Sequence, residues 1–259
     1  MKLMFSIKYK TPFGQSMHVV VNYLAEDGRM RPSNLTMHTD DGLLWTAETT
    51  GLLQRHAPIK ALAYTYRVED DHGKVMRAEW DAVPRLYNID TSRSYIFTDI
   101  WRDLSVHHYL YLSRQERMVT ALSALPCFNR SVVFRVSAPQ VREGYEVAVL
   151  GSEPSLGVWN ERRYLPMRYI GNGDWMLTIN AYAMTLPFEF KYVVVDQQTH
   201  DIAVWENGEN RQTALKSLDD GQQLVVYGGN LRVPCELSFH DEWLDKESTI
   251  EYEIRELYI

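Results

Sequence analysis

Apolar and polar residues alternate with a period of two along most of this chain, in short runs closed by Gly, Pro, Asn and Asp. In the first half the runs are MFSIKY (4–9), MHVVVNY (17–23), WTAET (45–49), KALAYTYRV (60–68), VMRAEW (75–80) and SYIFTDIW (94–101). In the second they are SVVFRVSA (131–138), YEVAVLG (145–151), WMLTIN (175–180), FEFKYVVVD (188–196), DIAVW (201–205) and QQLVVYG (222–228). Alternation of this kind sends successive side chains to opposite faces of a strand, and almost no stretch carries the helical period. The pattern predicts an all-β fold, with strands spaced as in an immunoglobulin-like antiparallel β-sandwich of about 100 residues.

The runs recur in the same order in each half. LTMHTDDGLLW (35–45) aligns with LPMRYIGNGDW (165–175) without a gap, and AYTYRVEDDHGKVMRAEW (63–80) aligns with EFKYVVVDQQTHDIAVW (189–205) with one residue of slippage. So long an offset marks a duplicated domain, because solenoid repeats run at about 20 to 50 residues. Two sandwiches in tandem are expected, a divergent one over 1–102 and a second over 130–233. Between them, 103–129 includes HHYLYLSRQERMV, too apolar for a free linker, and is expected to bridge the domains and hold them together. Residues 234–259 form an acidic tail with no assigned role.

The 259 residues carry a formal charge of −7 and no long run of Lys or Arg, which argues against nucleic acid and anionic membranes as partners. No apolar run approaches the ~20 residues of a membrane span, and MKLMFSIKYKTPFG lacks the apolar block of a leader. A cytoplasmic location is expected. Cys127 and Cys235 are far apart, and adjacent His107 and His108 would face opposite sides of a strand, so neither a metal nor a cofactor is expected. There is no G-x-S-x-G, P-loop or dinucleotide fingerprint, and the acidic pairs read as solvated turn charges.

Binding chemistry is more visible. Trp159 lies in a Gly-rich turn (VAVLGSEPSLGVWN) and Trp205 opens a polar one (VWENGENR), with Lys191 in the strand between them and Asn210 close behind. Indole faces on turns suit the C–H faces of sugar rings, while an ammonium and an amide suit adjacent hydroxyls; Glu206 could add a further contact. Trp45 and Trp175 stand at equivalent strand starts and read as core. Trp80 aligns with Trp205 and reads as a weak first-domain counterpart. Trp159 has no counterpart, the first half reading NYLAEDGRMRPSN at that place.

Over Ser131 to Arg232 the V-L-G-S…L-G-V-W turn, Trp175, the L-P…F-E-F-K-Y strand and the W-E-x-G-x-N-R turn resemble a starch-binding domain of carbohydrate-binding module family 20. By position, that resemblance implies a first sugar site at Trp159, Lys191, Trp205, Glu206 and Asn210. It implies a second, tyrosine-built site with one residue at Tyr169 and the other near Arg142 or Glu143. The first half is less similar, keeping Trp45, Trp80 and Arg85 but with Thr65 for the lysine and Pro84 for the asparagine. The arrangement as a whole resembles the N-terminal region of disproportionating 4-α-glucanotransferases with tandem modules, in which a catalytic (β/α)₈ barrel follows. The expected function is therefore binding of α-1,4-glucan (starch, glycogen, maltooligosaccharide) by a non-catalytic region, with a catalytic barrel beyond the C-terminus as a candidate partner. A protein-binding scaffold with a vestigial glucan site is the alternative.

Overall fold

The computed structural model describes residues 1–50, 58–79, 84–102, 126–171 and 173–233. Most of the expected bridge (103–125), the acidic tail (234–259) and Trp80 lie outside the described residues. The first half supplies β1 (Lys2–Lys8), β2 (Ser16–Ala25), β3 (Met30–Thr36), β4 (Leu44–Thr50), β5 (Ile59–Glu69), β6 (Val75–Ala78), β7 (Arg85–Asn88) and β8 (Ser94–Ile100). The second supplies β9 (Ser131–Ser137), β10 (Tyr145–Gly151), β11 (Leu165–Pro166), β12 (Arg168–Gly171), β13 (Asp174–Asn180), β14 (Glu189–Asp196), β15 (Ile202–Trp205), β16 (Arg211–Gln212) and β17 (Gln222–Asn230). Every alternating run of the sequence is a strand. One long strand escaped the pattern: β3 reads MRPSNLT, and its proline is tolerated because β3 is the edge of its sheet, paired with β2 alone.

The strands form three sheets. One five-stranded sheet is built from the first half, in the order β3-β2-β5-β6 with β7 also on β5, and another from the second half, in the order β11-β10-β14-β15 with β16 also on β14. The third belongs to both halves: seven strands run β12-β13-β9-β17-β8-β1-β4 without a break. The seam is the pair β8 and β17, the last strand of each half, which run parallel with Phe97 beside Val225.

The pleat explains how one sheet serves two cores. On β8, Tyr95 and Phe97 enter the first-half core while Ile96 enters the second; on β17, Leu224 and Val226 enter the second-half core while Val225 enters the first. Val133 on β9 and Met176 on β13 likewise turn into the first-half core, and their neighbours Phe134 and Trp175 into the second. Alternate residues of a strand occupy opposite faces, so the two five-stranded sheets cover opposite faces of the shared one. Trp45 and Trp175, expected in the cores, are 5% and 8% exposed.

Polar contacts cross between the halves on the first-half face. Tyr87 Oη lies 3.2 Å from Gln223 Oε1, Arg135 donates to the Leu86 carbonyl, and the Arg85 guanidinium lies 4.7 Å from the centre of the Tyr227 ring. Asp99, completely enclosed beside Arg85, Tyr64 and Tyr66, has its pKa pushed up to about 6, because burial outweighs the guanidinium and the tyrosine hydrogen bonds.

Candidate functional site

The inner row of β14, Phe190, Tyr192 and Val194, enters the second-half core. The outer row, Glu189, Lys191, Val193 and Val195, therefore faces away from the shared sheet. Opposite it on β10 stand Leu150 and Ala148, paired with Lys191 and Val193. Ala148, Leu150, Val193 and Val195 form a buried apolar floor, and Trp159, Tyr164, Ile202 and Trp205 lie half-buried upon it. The two candidate tryptophans, far apart in sequence, thus share one outward face.

They reach it by different routes. Trp205 ends β15 directly opposite Val193, so the strand register itself delivers the indole. Trp159 comes from the long β10–β11 connection. That connection begins at Gly151, where a Cβ would meet the Glu189 carbonyl oxygen at 2.5 Å and Leu156 Cδ1 at 2.7 Å. A single 3₁₀ turn, Pro154–Leu156, plants Leu156 in the core. Three successive residues then adopt the left-handed conformation, Gly157 (φ 84°), Val158 (φ 53°) and Trp159 (φ 58°), and the Trp159 amide donates to the Gly151 carbonyl at 3.0 Å. For a β-branched residue that geometry is a genuine outlier, and strain of this kind, ~1 to 3 kcal/mol per residue, concentrates at binding and catalytic sites.

Lys191 braces the turn beside Trp205: its Nζ donates to the carbonyls of Glu206 (3.3 Å) and Gly208 (2.6 Å). A lysine ammonium has three donors, so one remains for a ligand. Asn210 is exposed, and its Nδ2 donates to Glu189 Oε2 at 2.9 Å, tying it to the outer row one step from Lys191. Trp159, Lys191, Trp205 and Asn210 consequently stand on one side of one sheet.

Glu206 does not present its carboxylate to that side. It is 1% exposed; Arg211 donates to it through Nε (2.9 and 3.0 Å) and Nη2 (2.8 Å), Arg232 through Nε (3.1 Å), and the Tyr192 amide at 3.0 Å. Burial alone would raise its pKa, but Arg211, then Arg232 and the amide, hold it below the usual carboxylate range. Glu206 contributes a fixed backbone to the turn, and its acid group is committed inside.

Tyr169, the expected second-site residue, lies on β12 at the edge of the shared sheet, away from the tryptophan face. It is 38% exposed, packs edge-on against Trp175 with ring centres 5.4 Å apart, and its hydroxyl accepts from the Gly173 amide at 3.2 Å.

The first half corrects the alignment of Trp80 with Trp205. Glu79 there repeats the part of Glu206: Arg85 Nη2 donates to it at 2.7 Å, and its Oε2 accepts from the Tyr66 amide at 3.1 Å. Ala78 pairs with Arg67 where Trp205 pairs with Val193, so the position of Trp205 belongs to Ala78. The reason is one extra residue in the second-half hairpin: Asp70 bonds to the Lys74 carbonyl across one turn, Asp196 to the Asp201 carbonyl across the other. The long loop is missing too, because β2 and β3 are joined by a tight turn over 26–29. Tyr164 was not singled out from the sequence; its only signal is its place just before β11, which its register partner alone makes meaningful.

No helix among the described residues is long and apolar enough to cross a membrane. Residues 129–225 match the family described as the starch binding domain. Over 254 residues the chain is 24% identical to the 4-alpha-glucanotransferase DPE2 of Oryza sativa subsp. japonica, a match covering 89% of this chain and 26% of that protein. The chain thus spans about a quarter of the length of that curated relative. Among solved structures, the family 20 module of a maltotetraose-forming amylase from Pseudomonas saccharophila is similar at 18% identity and a TM-score of 0.31, covering 38% of this chain and 98% of that one. A family 26 module from Eubacterium rectale Amy13K, solved with maltoheptaose, is similar at 11% identity and a TM-score of 0.27, covering 92% of this chain and all (100%) of that one. The family match thus falls on the second half, over residues 129–225, the part of the chain that carries both tryptophans of the outward face.

Proposed function

We propose that the outward face of β10, β14 and β15 binds α-1,4-glucan, whether starch, glycogen or maltooligosaccharide, as the non-catalytic N-terminal region of a cytoplasmic 4-α-glucanotransferase. Trp159 and Trp205 are the stacking platforms, and the free donor of Lys191 and the amide of Asn210 select the hydroxyls. Glu206 acts from beneath, by fixing the turn. Tyr169 is the start of a separate, second contact. The observation that carries this reading is that both indoles stand over a single apolar floor, one of them on strained backbone. The identity to the rice glucanotransferase supports the larger assignment. Titration with maltoheptaose or β-cyclodextrin is expected to give a saturable change in tryptophan fluorescence in the unaltered chain and none in the Trp159→Ala, Trp205→Ala double variant. An unchanged response in the double variant sinks the proposal.

A further inference from the structure

We propose that Tyr164 is a third contact for the glucan, extending the sugar surface from the Trp159 and Trp205 pair to the opposite flank of the sheet; the inference rests on the glucan reading of that face. Tyr164 lies half-buried on the same floor as the two tryptophans. Its direction follows from the register. Leu165 pairs with Val149 and packs against the second-half core, so Tyr164, one residue earlier, turns outward beside Leu150.

Trp205 reaches that floor from the other flank. The order β11-β10-β14-β15 puts Tyr164 outside β10 and Trp205 outside β14, so their backbones are separated by about 14 Å across the strands, three inter-strand spacings, and by two residues along them. Trp159 closes the end of the floor between them, bonded to Gly151 at the end of β10. A disaccharide cannot span the two flanks, whereas a longer oligosaccharide lying across the floor meets all three rings.

The placement of Tyr164 is built in. A 3₁₀ turn, Glu161–Arg163, separates it from Trp159; Asn160 Oδ1 accepts from the Arg162 amide at 3.0 Å and the Asn160 carbonyl from the Arg163 amide at 2.8 Å. The same turn packs on Gly157, where a Cβ would lie 2.5 Å from the Arg163 carbonyl oxygen. Desolvation, then the carboxylates of Glu146 and Asp201, raise the phenol's pKa, so it stays protonated and keeps an O–H to donate to a sugar oxygen. Ring and hydroxyl together give the amphipathic contact that a sugar needs.

Calorimetric titration of the full chain with maltose, maltotriose and maltoheptaose separates this role from support of Trp159. Tyr164→Ala is expected to weaken maltoheptaose binding about tenfold, within the range of stacking on an aromatic platform, and to leave maltose within about twofold. Tyr164→Phe, which keeps the ring and loses the hydroxyl donor, should lose less than the alanine variant does but more than nothing, and Tyr164→Leu, which still covers the floor, should behave as the alanine variant does. Equal losses for maltose and maltoheptaose, or no loss for either, overturn the proposal. If the unaltered chain binds none of the three, the glucan reading itself fails; if it binds but Tyr164 is indifferent, only this inference does.

Discussion

Arg211 grips Glu206 side-on beneath the turn that follows Trp205, with three guanidinium-to-carboxylate distances between 2.8 and 3.0 Å, and the ring of Tyr192 lies 5.0 Å below the guanidinium. Because both partners are buried, removing one strands the other in a medium that cannot solvate it. Glu206→Ala is expected to cost ~3 to 5 kcal/mol, read by denaturant unfolding. Loss of sugar binding without loss of stability would show instead that the carboxylate touches the ligand.

The same pair sets a pH dependence. The folded pKa of Glu206 lies below the ordinary value of 4.5, so the native state binds this proton less readily than the unfolded chain. Its stabilisation is complete above that ordinary value and disappears as pH falls through the lower, folded one. Unfolding free energy should therefore decline on acidification below about pH 4.5, and Glu206→Gln should flatten that part of the profile. An identical profile in the variant would remove Glu206 as its source.

Val158 carries a cost that its exposed side chain does not repay, being 53% accessible with φ at 53°. Asparagine tolerates this conformation. Val158→Asn should raise the thermal midpoint, by up to ~1 kcal/mol of stability, while leaving maltoheptaose binding intact. A lower midpoint would mean that the valine packs to advantage.

Ala78 gives the converse test. It is exposed, so Ala78→Trp should change stability by less than about 0.5 kcal/mol. Combined with Thr65→Lys in the Trp159→Ala, Trp205→Ala background, it should restore no glucan binding, since no long loop brings a second indole. Recovery of binding would show that one platform suffices.

Ile96 belongs to the first half by sequence and to the second-half core by packing. Ile96→Ala should cost ~2 to 5 kcal/mol, and calorimetry should record a single transition shifted as a whole. Two separated transitions, only one of them displaced, would contradict the shared sheet.

Much of this was legible in the sequence. Alternation located the long strands apart from polar β3 and put Lys191 on a strand; which face it takes became clear only from the packing of Phe190, Tyr192 and Val194. Repeat position gave the buried state of Trp45 and Trp175. Counting fails where a turn changes length: the alignment puts the one-residue slip in the first half, whereas the extra residue lies in the second, between Asp196 and Asp201, so the partner of Trp205 is Ala78, two places from Trp80, and only hydrogen-bond register reveals that. Counting is equally blind to Glu206, whose burial depends on Arg232, distant in sequence. Nor can a period of two say which edges meet, so the pairing of β8 with β17 was not foreseeable.

That seam decides what the two halves can do together. With their outer sheets on opposite sides of a common layer, the tryptophan face and the outward face of β2, β5 and β6 look away from each other. The two outward faces are therefore separate surfaces, not one continuous platform. What the first half supplies to the second is a partner strand: β8 pairs the edge of β17 that would otherwise stand open.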